Sequence, residues 1–329
     1  MPRPKRAAKE IGLLFAIVLA FGLALGSWIW YSKRWNPRPL WSQRVGIYQS
    51  QAQFAPDGKH FVVASKGLRF FDSRSHLETA KVAAIPSVAW SFALSPDGHL
   101  AATGHYDNAI RLWSLPSGAL IRTLKGHDAI PNLAFSPDSK LLASGSWSQK
   151  MSRGEIRLWN VASGQLMRRF PDQPTFVSDL AFAPNGKTLF SVGGQGRVKA
   201  WNVADGRVVR EFVAAKDSLL TVAISPDGKR LAAGGWKQIV HVWNLSSGVL
   251  ECDLPGDAEV RDLQFAADSE RLAVAASTKE ASIWNVVTKT KTHRFGGHRQ
   301  LLYSVCFSPD NSMLLSGGAD GEIRLWRVE

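Results

Sequence analysis

The chain has 329 residues, 45% hydrophobic and 20% charged, the balance of a folded protein with a sizeable core and not of a disordered chain. Its formal net charge is +13, of which residues 1–34 carry +5. Beyond that segment no Lys- or Arg-rich run with interleaved aromatics occurs, so nucleic acid is not an expected partner.

Residues 1–10 form a basic tail with Arg3, Lys5, Arg6 and Lys9. The next stretch, IGLLFAIVLAFGLALGSWIWY at 11–31, holds no charged residue. As a helix it would span about 30 Å at ~1.5 Å per residue, the hydrocarbon thickness of a bilayer. Trp28, Trp30, Tyr31 and Trp35 stand at its C-terminal edge, where amphipathic rings favour the headgroup level. The run is therefore expected to be an uncleaved single-pass transmembrane helix, in contact with membrane lipid. A signal peptide cut before Ser27 is the rival reading. Against it, the run exceeds the usual apolar stretch of about 7–15 residues and lacks a polar end. A short basic tail favours the cytoplasm, which puts the rest of the chain on the extracytoplasmic, periplasmic side. Residues 32–39, with Pro37 and Pro39, read as a short linker.

Beyond the linker one unit repeats. FAPDG at 54–58, LSPDG at 94–98, FSPDS at 135–139, FAPNG at 182–186, ISPDG at 224–228, FAADS at 265–269 and FSPDN at 307–311 lie 40 to 47 residues apart. In six of the seven Pro presets the φ of a type I turn, and in four a terminal Gly relieves strain. Alternating runs such as Leu180-Ala181-Phe182 precede the turns and short apolar strands follow. A third strand ends in Phe71, Trp113, Trp159, Trp201, Trp243, Trp284 or Trp326, and a Ser-Gly or Asp-Gly turn leads to a fourth in four units. Such a four-stranded sheet cannot bury both faces alone. Stacked around an axis, seven can, with the aromatic row as core between neighbours.

These repeats resemble the WD40-repeat family, most clearly in LKGHDAIPNLAFSPDSKLLASGS and FGGHRQLLYSVCFSPDNSMLLSGGADGEIRLW. The resemblance implies an all-β, seven-bladed propeller over residues 40–329, preceded by the transmembrane helix. No unit carries a literal Trp-Asp pair. The family's structural hydrogen-bond tetrad maps fully onto one unit, as His298, Ser316, Asp320 and Trp326. The third unit has His127, Ser144 and Trp159 without the Asp, and the second has Thr103, Asp107 and Trp113 without the His. Most blades are accordingly expected to rely on packing alone. The seventh unit stops one strand short, so LWSQRV at 40–45 is expected to supply its outer strand and hide the open edge.

No catalytic motif is visible. Cys252 and Cys306 are too few and too distant for a disulfide framework or a zinc site and read as buried thiols. The eight histidines have no metal-ligand spacing, and the glycines lie in β-turns, not before a helix as a phosphate loop requires. Neither a cofactor nor a metal is expected, and the chain does not read as an enzyme. What stands out is aromatic and basic residues outside the core rows. SWSQKMSRG at 146–154 lengthens the turn between the second and third strands of unit three and carries Trp147, Lys150, Met151 and Arg153. Trp236 and Lys237 occupy the same turn in unit five. Trp90, Arg261 and Tyr303 stand four residues before the Phe54-type position. The resemblance puts both locations at the family's usual docking end, so these residues are candidates to bind another protein; for Trp90 and Tyr303, filling gaps between blades is the plainer role. The expected function is a membrane-anchored scaffold for protein–protein interaction. The alternative is an enzyme or small-ligand receptor using the central channel, with Gln51, Ser91, Asn132, Asp179, Thr221, Asp262 and Ser304 as its polar lining.

Overall fold

Each of the seven turns joins the two innermost strands of one antiparallel four-stranded sheet, and the seven sheets stand side by side as the blades of a propeller. The structure, a computed structural model, describes residues 37–46, 51–65, 67–82, 89–127, 129, 132–148, 153–171, 175–214 and 218–328. The expected transmembrane helix at 11–31 lies outside the described residues. Among those described, no helix is long and apolar enough to cross a membrane.

Local chemistry shapes the turns. Ser95 Oγ donates to Asp97 Oδ1 at 2.6 Å and accepts the Leu100 N–H at 2.9 Å. Ser136, Ser225 and Ser308 repeat both bonds in their own blades. The last turn residue sits in the left-handed region, as at Gly98 (φ 76°). Ser139, Ser269 and Asn311 accept that conformation without being glycine. Each of the three takes an N–H from the preceding blade's turn, respectively from Asp97 (3.1 Å), Asp227 (3.1 Å) and Ala267 (2.8 Å). The bond offsets the backbone strain.

Between blades the core is continuous. Phe71 and the six row tryptophans are at most 7% exposed. One cluster joins Phe190, Val198 and Phe212 of blade 4 to Leu231 and Trp243 of blade 5, and the other junctions are built alike. Burying each such ring contributes on the order of 1.5–3 kcal/mol. Polar stitches reinforce the packing inside and out. On the inside, Gln53 Oε1 accepts the Leu94 N–H of the next blade at 3.0 Å, and Gln264 Oε1 accepts that of Phe307. On the outside, Arg122 donates to the Ala162 carbonyl (2.9 Å), Arg168 to those of Ala204 (2.6 Å) and Asp205 (2.9 Å), and Arg210 to those of Leu245 and Ser246 (both 2.9 Å).

Ring closure uses the N-terminal strand. Trp41–Arg44 pairs antiparallel with Glu322–Leu325 and is the outer strand of blade 7. Trp41 meets Phe61 and Phe71 of blade 1 edge-on, with centroids 5.5 and 5.3 Å away. At the same junction the Phe54 N–H points at Cys306 Sγ, 3.4 Å away. Cys306 thus holds the position that Gln53 and Gln264 hold in their blades. Both cysteines are free and buried.

The expectation that most blades rely on packing alone is corrected. Trp113 Nε1 donates to Thr103 Oγ1 (2.7 Å), which bonds His105 Nε2 (2.7 Å); the histidine comes from the adjacent strand instead of the preceding loop. Asp107 leaves that network to pair with Arg111. In blade 3, Ser144 joins Trp159 (2.8 Å) to His127 (2.7 Å), and Glu155 lies 3.5 Å from His127 Nδ1 in place of the absent Asp. Trp201 donates to Ser191 at 2.9 Å.

Candidate docking face and central channel

Strand direction gives the ring two distinct ends. One carries the S-P-D-G-type turns and the turns between third and fourth strands. The opposite end carries the turns between second and third strands and the links from blade to blade. Every candidate binding residue from the sequence lies toward the second end.

Trp236 is 58% exposed on its turn, next to exposed Lys237. Trp90 is 36% exposed and meets Tyr106 edge-on at 5.6 Å. Sequence reasoning missed Tyr106, although it holds the same turn position in blade 2 that Trp236 holds in blade 5. Both directly follow the second strand of their blade and precede by two residues a positive-φ residue, Asn108 or Gln238. Burial, and then nearby Tyr303, push the Tyr106 phenol above its ordinary pKa. Arg261 is half-buried, its guanidinium held by Glu259 (2.9 Å) and Ser277 (3.1 Å).

The blade 3 insertion differs from expectation. It extends a hairpin instead of adding a loop: Leu141–Ser148 and Arg153–Asn160 are 8-residue strands, with Trp147 opposite Gly154 and Ser148 opposite Arg153. The ladder continues through Ser146, Trp147 and Ser148, paired with Glu155, Gly154 and Arg153. Lys150 and Met151 lie outside the described residues, and Arg153 is half-buried at the strand's start.

Trp90, Arg261 and Tyr303 share a structural cause. The pairing register shifts at the start of the innermost strand in blades 2, 6 and 7, and each of the three is the residue passed over. A bulge of this kind re-aims a side chain. Arg261 and Tyr303 thereby reach the lip of the central channel.

That channel is a cavity of about 260 Å³ lined by Gln51, Ser91, Asn132, Asp179, Asp262 and Ser304, as anticipated. Thr221 is the exception. It is 1% exposed, its hydroxyl finds no hydrogen-bond partner among the described residues, and Leu220 lines the cavity instead. Burial raises Asp179 to about 6. Burial, with the Asp179 charge adding to it, raises Asp262 to about 8. Both carboxyl groups are committed to the backbone. Asp179 accepts the N–H groups of Leu180 (2.8 Å) and Val222 (2.9 Å), and Asp262 those of Leu263 (2.9 Å) and Val305 (2.9 Å). Each links its own blade to the next, a stitching role that occupies both oxygens.

In the tetrad, Trp326 Nε1 donates to Ser316 Oγ (2.8 Å), Ser316 bonds His298 Nε2 (2.9 Å), and His298 Nδ1 meets Asp320 (3.1 Å). The carboxylate can only accept, so Nδ1 carries the proton and Nε2 accepts from the serine. Burial lowers the His298 pKa against the pull of Asp320. Among the described residues no group of His, Cys, Asp or Glu is arranged to hold a metal.

Large apolar side chains left exposed divide by end. Trp90, Tyr106, Trp236 and Val213 are at the second end. Aliphatic side chains ring the first, at or just before the start of the outermost strand in every blade: Leu77, Leu120, Leu166, Val208, Val249, Val287 and, in blade 7, Leu40.

Residues 81–114, 118–160, 164–202, 206–244 and 289–327 match the family described as "WD domain, G-beta repeat". Periodic tryptophan protein 2 homolog of Schizosaccharomyces pombe is 35% identical over 97 residues, 29% of this chain and 11% of that protein. Human apoptotic protease-activating factor 1 is 36% identical over 97 residues, 27% of this chain and 7% of its own length. Eukaryotic translation initiation factor 3 subunit I of Aspergillus fumigatus is 35% identical over 97 residues, 29% of this chain and 27% of that subunit. The chain thus spans well under a third of the length of these relatives. Seven blades, the buried aromatic row and five matched repeats together make this chain a member of the WD40-repeat family.

Proposed function

We propose that this protein is a membrane-tethered scaffold that captures a partner protein on the aromatic end of its ring. WD40 propellers generally serve as non-enzymatic scaffolds and typically bind other proteins; one relative is by its name a subunit of a translation initiation factor. The observation that carries the reading is that Trp236 on blade 5 and the Trp90–Tyr106 pair on blade 2 are exposed rings at the same end, which also carries Lys237 next to Trp236 and Arg261 on blade 6. Aromatic and Arg side chains dominate binding energy at interfaces. Trp147 and Arg153 extend the same end along the lengthened hairpin. The tether is the uncharged run 11–31, a single-pass helix with the propeller on the extracytoplasmic side.

One observation favours a second use of the same end. The polar channel with two carboxyl groups of raised pKa could receive a small ligand, as the alternative reading from sequence requires. The backbone N–H groups already bound by Asp179 and Asp262 weigh against chemistry there.

Alanine at Trp236 and at Trp90 tests the reading. Both variants should keep the wild-type melting temperature and lose partner retention about tenfold, near 1.4 kcal/mol. A clearly lowered melting temperature would make these rings structural and remove the basis of the proposal. Carbonate extraction checks the tether: the full chain should stay in the membrane pellet with its N-terminus intact, and a mature chain starting at Ser27 would contradict it.

A further inference from the structure

The two ends of the ring differ in chemistry, aromatic at one and aliphatic at the other, and the chain joins the ring at the aliphatic one. The closing strand starts with Trp41 at the end bearing the S-P-D-G-type turns and finishes with Arg44 toward the other. We propose that the aliphatic end lies against the bilayer that holds residues 11–31, so that its belt touches lipid and the aromatic end faces away. The inference rests on the tether reading given under Proposed function.

Chain length supports the orientation. Residues 32–39 reach about 28 Å at most, at ~3.3–3.6 Å per residue. A six-residue strand alone rises about 20 Å before its turns are added. The aromatic end could meet the bilayer only with the linker stretched back along the wall of the ring. The aliphatic end meets it with no such constraint.

Side-chain exposure agrees. Single exposed aliphatics are ordinary on soluble proteins. Here the exposure recurs at equivalent places around the ring: Leu40 is 44% exposed, Leu77 68%, Leu120 50%, Val249 62% and Val287 52%. Exposed methylenes forgo the stabilisation that burial would supply, and a headgroup–acyl boundary supplies it. An apolar cleft of about 340 Å³ opens at this same end between blades 1 and 2, with Pro56, Val62, Phe70 and Leu115 among its walls. Leu40 and Leu77 flank the junction where the chain joins the ring, so lipid contact should be strongest there.

The test uses the full chain in phosphatidylcholine vesicles containing lipid with a nitroxide quencher in the acyl chain. A fluorescent dye is placed at Leu77→Cys, Val249→Cys or Trp236→Cys, each exposed, while both native cysteines are buried. Quenching at 77 and 249 severalfold stronger than at 236 is the expected result. Equal quenching, stronger quenching at 236, or none at any position in protein that stays with the vesicles through a carbonate wash would overturn the orientation and leave the tether standing. Protein that washes off overturns the tether, and the orientation with it.

Discussion

Ser316 satisfies two buried groups at once, accepting from Trp326 and donating to His298. Ser316→Ala leaves both without a partner and should cost about 2–4 kcal/mol, since each unsatisfied buried group costs roughly 1–3. Ser191→Ala strands only Trp201 Nε1 and should cost about half as much by urea denaturation. Equal losses would show that the histidine arm adds nothing. Titration makes a separate prediction. Burial lifts the folded pKa values of Asp179 and Asp262 to about 6 and about 8, above the ordinary aspartate value of 3.8. Their favourable contribution is full below the unfolded pKa and is lost as pH rises through 6 and then 8, at up to about 1.4 kcal/mol per pH unit per group. Glu155 runs the other way: although burial opposes it, bonds to His127 and Arg157 hold it at about 2, so its contribution fades as pH falls. The wild-type melting temperature should therefore decline from about pH 5 to about pH 8, and Asp262→Asn should flatten that decline. A wild-type profile with no decline would mean that Asp262 is not raised. Thr221 shows where residue-level reading from sequence stops. Alternation aims it at the channel, but the pairing register shifts between Leu219 and Thr221, and Thr221 ends buried while Leu220 lines the cavity, a bulge that no local pattern reveals.

Element by element, the repeat was legible because each blade restates its own turn chemistry, apolar alternation and closing aromatic. The position of the last outer strand also followed from counting back, and Trp41–Arg44 occupies it. What local sequence could not reveal is the partners that cross between elements. Glu155 replaces an absent Asp from a different position, and His105 replaces an absent His from the strand itself. The blade 3 insertion read as a loop because its Ser and Gly residues favour turns; the hairpin nevertheless continues through Trp147. The closing strand has a measurable role. Removing residues 37–45 from the soluble propeller should expose the Glu322–Arg327 edge and uncover Phe61 and Phe71, lowering the melting temperature sharply and inviting self-association. Trp41→Ala removes a half-buried ring and should produce part of the same loss, below the roughly 3–5 kcal/mol that a fully buried aromatic costs. Unchanged melting after the deletion would mean that the ring closes in some other way.

For the whole molecule, family and architecture were within reach of the sequence, whereas the division of exposed apolar residues between two ends needed three dimensions. Leu77, Leu120 and Val249 are unremarkable one at a time along the chain, and only strand direction gathers them at one end. The same strand direction gathers Trp90, Tyr106 and Trp236 at the other, from turns far apart in sequence. The central claim is that this aromatic end receives the partner. Its most direct test is site-specific photo-crosslinking in native membranes, with a photoreactive phenylalanine analogue at position 236 or 106 on one end and at 77 or 249 on the other. The expected result is a discrete protein adduct from 236 and 106, lost when Trp90 is replaced by alanine, and no protein adduct from 77 or 249. A discrete protein adduct from 77 or 249, with none from 236 or 106, would contradict it.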